Sequence, residues 1–179
     1  MLEPMMRRGL TLLELVIVLA VLVVLAALAT PGLASRLRHE RLLGAAEALA
    51  ADIAQARHEA ARRGSALHIE AHRDGAQWCW SVATHAGCPC DAGVAAPADM
   101  VPGGPEAAPC RLKIVRAAEH PGVGLAHIEP VRIGADGQSS VAVAAAFVAG
   151  ERQLQVQVSR FGRTRVCDPQ GHNARVPRC

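Results

Sequence analysis

The spacing of apolar residues changes twice along the chain, and each change marks a different kind of element. Residues 10–29 are apolar almost without interruption, and as a helix they would match the thickness of a bilayer core, about 30 Å. Residues 33–62 place apolar side chains at the spacing of an amphipathic helix. Beyond Gly64 the side chains alternate, which predicts strands. The pattern predicts an α+β protein with a long helix over residues 10–63 and a β-rich head over residues 64–179.

Glycine and proline divide this pattern further. The helix is predicted to end at Gly64, after two arginines, and Pro31 predicts a kink or a locally melted joint because proline lacks the backbone donor. Residues 84–110 are rich in proline, glycine and cysteine and predict a long loop held by disulfides. The segment GADGQ, residues 134–138, predicts a turn. Eight short strands are predicted at residues 66–72, 78–82, 111–115, 123–128, 131–133, 140–148, 152–158 and 164–167.

Glu14 interrupts the apolar segment with a charge. A carboxylate costs about 2–3 kcal/mol at the centre of a bilayer, so its presence predicts a function. The residues alone leave two ordinary interpretations open. A secretory signal would use Arg7 and Arg8 as its basic region and be cut after Ala29, releasing a soluble periplasmic protein. A plain membrane anchor would retain the segment, although arginines flank both of its ends.

The segment RRGLTLLELVIVLAVLVVLAALATPGL resembles the class III signal of type IV prepilins and type II secretion pseudopilins. The resemblance implies that prepilin peptidase removes residues 1–9 by cutting after Gly9, and that Leu10 is then methylated. Leu10 stands where this family most often has phenylalanine, whereas Glu14 and Pro31 match the types that pilins carry at these positions. The resemblance also implies that Glu14 acts in filament assembly, because its carboxylate would pair with the free α-amine of a neighbouring subunit.

The cysteines and the charges are both concentrated in the head. All six cysteines follow residue 78, which predicts disulfides in an oxidising compartment. We expect Cys167 to pair with Cys179, and Cys110 to pair with Cys88 or Cys90. The net charge of the chain is +3. Residues 151–179 contain six arginines and only two acids, so this segment alone has a net charge of +4. This concentration of positive charge indicates either an anionic partner or a solvated basic edge.

The segments ALAADIAQARHEAARRGSALHI and QVQVSRFGRTRVC are similar to the FimT/GspH family of minor type IV pilins and type II secretion pseudopilins. The resemblance implies a type IV pilin-like fold, with the helix packed on a two-sheet antiparallel β head. It further implies a single-pass protein of the bacterial inner membrane with a periplasmic head, incorporated in or priming a pilus. Its partners would be other major and minor pilins.

Some FimT-type members bind DNA during natural transformation through a Gly-Arg-x-Arg motif, which residues 162–165 match here. The resemblance therefore implies phosphate contacts to DNA, and the plain alternative is a hairpin turn with exposed charges. A GspH-like pseudopilin of type II secretion is the second family alternative. The predicted DNA-binding residues are Arg160, Gly162, Arg163, Arg165, Arg175 and Arg178.

The remaining candidates predict no catalysis. The chain contains no phosphate-binding glycine loop, nucleophile elbow, zinc-protease or dinucleotide motif, so we predict neither an enzyme nor a cofactor. His68, Glu70 and His72 share one strand face but supply no fourth ligand, so we expect no metal site. Trp78 and Trp80 are predicted to lie in the core, and with so few aromatic residues we expect no base-stacking platform.

Overall fold

The structure is a computed structural model that describes residues 11–88, 90, 110–140 and 143–179, with the backbone alone at residues 28–33. Gly9 and Leu10, and most of the predicted loop of residues 84–110, lie outside the described residues. The chain divides into two compact units, Met1–Leu37 and Arg38–Cys179, and each is considered by itself below.

Helix α1 spans Leu12–Arg63. The Thr11 hydroxyl accepts a hydrogen bond from the backbone N–H of Glu14 at 3.2 Å and caps the first turn. Two arginines and a glycine with a φ of 65°, Gly64, end the helix as predicted. Of the kink or locally melted joint predicted at Pro31, the melted joint is wrong, because α1 continues through this residue without a break, and the kink stays a prediction. Proline removes one backbone donor, and a helix of this length retains its other hydrogen bonds.

In the first unit, the described apolar side chains of α1 face outward on every side. Leu12 is 82% exposed and Leu25 is 57% exposed. Within the described residues, no helix combines the length and the apolar character needed to cross a bilayer. The transmembrane role of residues 10–29 stays a prediction.

The described residues of the second unit form two antiparallel sheets of four strands each. The first has the order β3-β2-β1-β5 and the second the order β4-β6-β7-β8. All eight predicted strands are confirmed, with ends that shift by a few residues. The strands are β1 Leu67–Asp74, β2 Gln77–Ala83, β3 Arg111–Arg116, β4 Gly124–Ile128, β5 Val131–Ile133, β6 Val143–Ala149, β7 Arg152–Val158 and β8 Thr164–Cys167.

One hydrophobic cluster joins the second half of α1 to both sheets. Trp78 and Trp80, on alternate positions of β2, stack with their ring centroids 5.4 Å apart. Phe147 of β6 meets both rings edge-on, at 5.7 and 5.8 Å. Both tryptophans are buried, which confirms their predicted place in the core. The described core and all three disulfides lie within Arg38–Cys179, so this unit contains what it needs to fold by itself.

A buried carboxylate links α1 to the first sheet. Asp52 is only 3% exposed and accepts a hydrogen bond from the indole N–H of Trp80 at 2.9 Å. Its other oxygen pairs with the ammonium of Lys113 on β3 at 2.5 Å. A buried acid needs such partners, because an unpaired one would lose its hydration without compensation. Asp52 therefore sets where α1 lies along the first sheet.

Replacing Asp52 with alanine is expected to lower the free energy of unfolding of residues 38–179 by about 1–3 kcal/mol, because the buried Trp80 N–H loses its acceptor. Urea unfolding monitored by tryptophan fluorescence measures this loss. The matched control is Glu47→Ala, an exposed acid on the same helix, which should change stability by less than about 0.5 kcal/mol. Equal effects of the two substitutions would contradict the anchoring role of Asp52.

Candidate functional site

The Gly-Arg-x-Arg segment, residues 162–165, completes the turn between β7 and β8 and continues into β8. The N–H of Ser159 donates to the Arg163 carbonyl at 2.9 Å, and the N–H of Gly162 donates to the Ser159 carbonyl at 2.8 Å. The hydroxyl of Ser159 also accepts a hydrogen bond from the N–H of Arg163 at 3.1 Å. We call residues 159–163 the arginine turn. These three hydrogen bonds within the turn give it a defined shape.

Gly162 is buried at the point where the arginine turn approaches two other segments. Its φ of 68° lies in the left-handed region, which favours glycine. A Cβ at this position would lie 2.5 Å from the carbonyl oxygen of Gly137 and 2.8 Å from Cδ of Arg57. The arginine turn therefore packs against the turn of residues 134–138 and against α1, at a distance that only glycine permits.

Two hydrogen bonds from outside the arginine turn hold its backbone. The guanidinium of Arg57 on α1 donates to the Phe161 carbonyl at 3.2 Å. The N–H of Ser139 donates to the Arg160 carbonyl at 3.0 Å. The side chains of Arg160, Phe161 and Arg163 are exposed. The turn thus has a fixed backbone and presents its longest side chains to solvent.

Arg165 extends the basic surface along β8, an edge strand of the second sheet. It lies opposite Gln157 in the register of β7 and β8, on the exposed face of this sheet. Its guanidinium donates to the Arg178 carbonyl at 2.8 Å. Arg163 stands two positions before Arg165, at the end of the arginine turn, and both residues are exposed.

The C-terminal segment is folded back beside β8. Cys167 forms a disulfide with Cys179 across a Cα–Cα distance of 5.0 Å. The N–H of Asp168 donates to the Pro177 carbonyl at 2.9 Å, and the N–H of Cys179 donates to the Asp168 carbonyl at 3.2 Å. These contacts hold Arg178 next to Arg165.

Asp168 organises the loop between these contacts. Burial by itself would raise the pKa of its carboxyl, but donors from four backbone N–H groups, those of residues 170–173, lower the pKa below the ordinary value. The N–H groups of Gln170 and Asn173 both approach its oxygens to 2.8 Å. The ionised carboxylate is therefore the form that holds the loop closed.

The predicted DNA-binding residues separate into two groups. Within the described part of the chain, no carboxylate forms an ion pair with Arg160, Arg163, Arg165 or Arg178. Arg175 instead pairs with Glu40 of α1 at 2.5 Å. Four of the five arginines thus keep charge available for an anion, and Arg175 is turned toward the helix. Their role in binding remains a prediction.

Three disulfides join all six cysteines. Cys167–Cys179 and Cys88–Cys110 coincide with pairings expected from the sequence. The third is Cys79–Cys90, which the sequence analysis did not assign. The carboxylate of Glu70 accepts hydrogen bonds from the N–H groups of Gly87 and Cys88, at 2.7 and 3.1 Å, and so positions the chain for the disulfides that follow.

His68 on β1 and its neighbour Glu70 take part in structural interactions. Burial lowers the pKa of His68, and the charge of Glu70 opposes this effect only in part. Glu70 itself is engaged by the backbone, as described above. Among the described residues, no group of three or more histidine, cysteine or acidic side chains is arranged to hold a metal ion.

Sequence analysis missed Arg57 and Asp168. In the sequence, Arg57 is one of several charged residues on the polar face of an amphipathic helix. Its hydrogen-bond partner, the Phe161 carbonyl, lies 104 residues away. Asp168 directly follows Cys167 and stands near a proline and a glycine, a composition typical of a turn capped by an acidic side chain. That local signal would have been enough to find it.

A long N-terminal helix, packed through its second half on a two-sheet antiparallel head, defines a pilin-like α+β subunit. A family model described as type II transport protein GspH matches residues 45–162. A second model, described as prokaryotic N-terminal methylation motif, matches residues 4–30. The chain therefore belongs to the GspH family. No curated protein and no solved structure gives a significant match.

Membership confirms the fold and the family expected from the sequence. The chain is a minor pilin or pseudopilin, a structural subunit of a type IV pilus or of a type II secretion system. Such subunits are anchored in the inner membrane through the N-terminal helix and interact with other pilins. The methylation motif implies processing by prepilin peptidase.

Gly162→Ala is expected to destabilise residues 38–179 more than Gly150→Ala does. Both glycines have a positive φ, 68° and 62°, so each substitution costs about 1–2 kcal/mol for the left-handed conformation. Only at Gly162 does the new methyl group meet backbone, while nothing lies within 4 Å at Gly150. Urea unfolding should separate the two by at least about 1 kcal/mol. Equal losses would show that the arginine turn moves aside at no cost.

Asp168→Asn is expected to lower stability at pH 7 by about 1–2 kcal/mol, because charge-assisted hydrogen bonds to the loop become neutral ones. The folded-state pKa is lowered, so the stabilisation is present above the unfolded pKa and is lost as the pH falls through the folded value. The difference between parent and variant, measured by thermal unfolding, should shrink below about pH 4. A difference that is constant from pH 7 to pH 3 would contradict this account.

Proposed function

We propose that the chain is a FimT-like minor type IV pilin whose arginine turn and neighbouring β8 edge bind DNA through its phosphates. The observation that supports this most is the set of four arginines, Arg160, Arg163, Arg165 and Arg178, that find no carboxylate partner among the described residues. Surface arginines commonly pair with nearby acids, and a basic cluster left without them favours an anionic ligand.

The geometry suits contact with a phosphate chain. Arg163 and Arg165 are two positions apart and both are exposed. The Arg165 guanidinium is held by the Arg178 carbonyl, so part of its conformational entropy is already lost before binding. The backbone of the turn is braced by Arg57. Planar guanidinium groups at fixed positions bind phosphate oxygens in pairs. Contacts of this kind follow the charge of DNA, so binding would be independent of sequence and would weaken as salt rises.

The N-terminal part of the chain would anchor this head in the membrane and then assemble it into a filament. In this proposal prepilin peptidase cuts after Gly9, Leu10 is methylated, and residues 10–29 hold the protein in the inner membrane with the head in the periplasm. The Glu14 carboxylate pairs with the α-amine of a neighbouring pilin during assembly. Three disulfides in the head support an oxidising compartment outside the cytoplasm. Uptake of DNA in natural transformation is the process in which such a pilin would act.

The second candidate is a GspH-like pseudopilin of type II secretion. The family model that matches is the one described for that system, and its match ends at residue 162, so Arg163 and Arg165 lie beyond the matched range. In that function the head would contact other minor subunits or a secreted protein. Exposed arginines would then serve protein contacts, and DNA binding would be absent.

Gel-shift titration of residues 38–179 with duplex DNA tests the proposal. Arg163→Gln combined with Arg165→Gln should weaken binding about tenfold or more and should reduce the salt dependence, the slope of log K against log salt, by about two. The matched control is Arg116→Gln combined with Arg132→Gln, which removes the same charge from exposed positions on the first sheet.

The control double variant should bind nearly as tightly as the parent protein. If both double variants lose affinity equally, general positive charge drives binding and the arginine turn is not the site. If the parent protein does not bind DNA at low salt, the pseudopilin function is favoured.

A further inference from the structure

Phe161, at the tip of the arginine turn, is 65% exposed. Among the described large apolar side chains from Arg38 onward, none is more exposed, and the next, Leu112, is 40% exposed. Single exposed apolar side chains are common on protein surfaces and need no explanation by themselves. Phe161 differs because an arginine stands one position before it and another two positions after it, and because its backbone is anchored.

The backbone contacts of the arginine turn keep this ring outward. The Phe161 carbonyl points to the α1 side, where it accepts from Arg57 at 3.2 Å. Gly162 behind it is buried against the Gly137 carbonyl, so the turn cannot rotate to cover the ring without losing that packing. An aromatic ring held in water with Arg160 and Arg163 on either side is a surface that joins a flat apolar face to positive charge.

We propose that Phe161 stacks on an unpaired base, so that the arginine turn prefers single-stranded DNA to duplex. The inference rests on the proposed DNA contact and deepens it. Each nucleotide of a nucleic acid carries a phosphate beside a flat base. The arginines would contact the phosphates, and the aromatic side chain between them would contact the base. Another pilin has no such repeat of charge. A lipid surface carries phosphates, but its apolar part is made of acyl chains and offers no flat ring for Phe161 to stack on.

Single strands are favoured over duplex for an energetic reason. A base in a duplex is already stacked, and opening a step to admit a side chain is costly unless a large bent interface compensates. The arginine turn is small and offers only a few phosphate contacts, whereas a base in a single strand is free to stack on the ring. The low aromatic content of the chain argues against a platform of several rings, and one ring is enough for one base.

The test compares three ligands with the full-length chain in a neutral detergent. They are a single-stranded oligonucleotide, its duplex, and a strand of the same length made of abasic units, which keeps the phosphates and removes the bases. Fluorescence anisotropy at one low salt concentration measures each affinity. The parent protein should bind the normal single strand roughly 5- to 100-fold more tightly than the abasic strand.

Four variants separate stacking from charge. Phe161→Leu keeps an apolar side chain without the ring, and it should reduce affinity for the normal strand to that for the abasic strand while leaving the duplex and abasic affinities unchanged. Phe161→Tyr should retain the preference. Leu112→Ala, a matched loss of an exposed apolar side chain on β3, should change nothing. Arg163→Gln with Arg165→Gln should weaken all three ligands together.

The failures of the two proposals are distinguishable. If Phe161→Leu leaves the ratio of normal to abasic affinity unchanged, the stacking inference is overturned while the phosphate contact stands. If it weakens all three ligands equally, the ring supports the turn instead of a base, and the inference is again overturned. If the parent protein binds none of the ligands, the proposed DNA contact fails and this inference fails with it.

Discussion

The packing of the second half of α1 against both sheets is the contact on which the rest of the head depends. It buries an apolar stripe in the cluster around Trp78, Trp80 and Phe147, and the Asp52 carboxylate sets the position of the helix along the first sheet. Once the helix is held there, its polar side chains meet the second sheet at defined places. Arg57 meets the arginine turn through such a contact. The candidate binding surface is therefore a consequence of core packing.

The arginine turn combines a backbone that is held by structural contacts with side chains that are exposed. Its backbone is used for structure, with internal hydrogen bonds, the Arg57 contact and the close approach of Gly162 to Gly137. Its side chains are left for solvent or a ligand. A binding group fixed before the ligand arrives loses less entropy on binding, so this division of roles suits the proposed contact with a phosphate chain. The Cys167–Cys179 disulfide extends the same support to the tail.

Local patterns were sufficient for the secondary structure and for part of the site. Strand β7 alternates clearly and is flanked by Gly150 and Gly162, and GADGQ forms the predicted turn with Gly137 at a φ of 76°. The locally melted joint predicted at Pro31 was wrong, because the local penalty of proline was weighed without the many hydrogen bonds of the long helix around it. The Cys79–Cys90 disulfide could not be chosen, because pairing depends on which cysteines the sheet brings within reach.

The sequence by itself determined the helix and strand pattern, the N-terminal methylation motif that contains Gly9 and Glu14, the family, and the alternate spacing of Arg163 and Arg165. These features are encoded within a few neighbouring residues, so they can be read locally. Only the tertiary structure decided that Arg175 pairs with Glu40, 135 residues away, while Arg163 has no acidic partner among the described residues. It likewise decided that Arg57 braces a turn 104 residues away and leaves the ring of Phe161 exposed. Charge pairing and exposure depend on contacts between distant segments, and no local pattern specifies which segments meet.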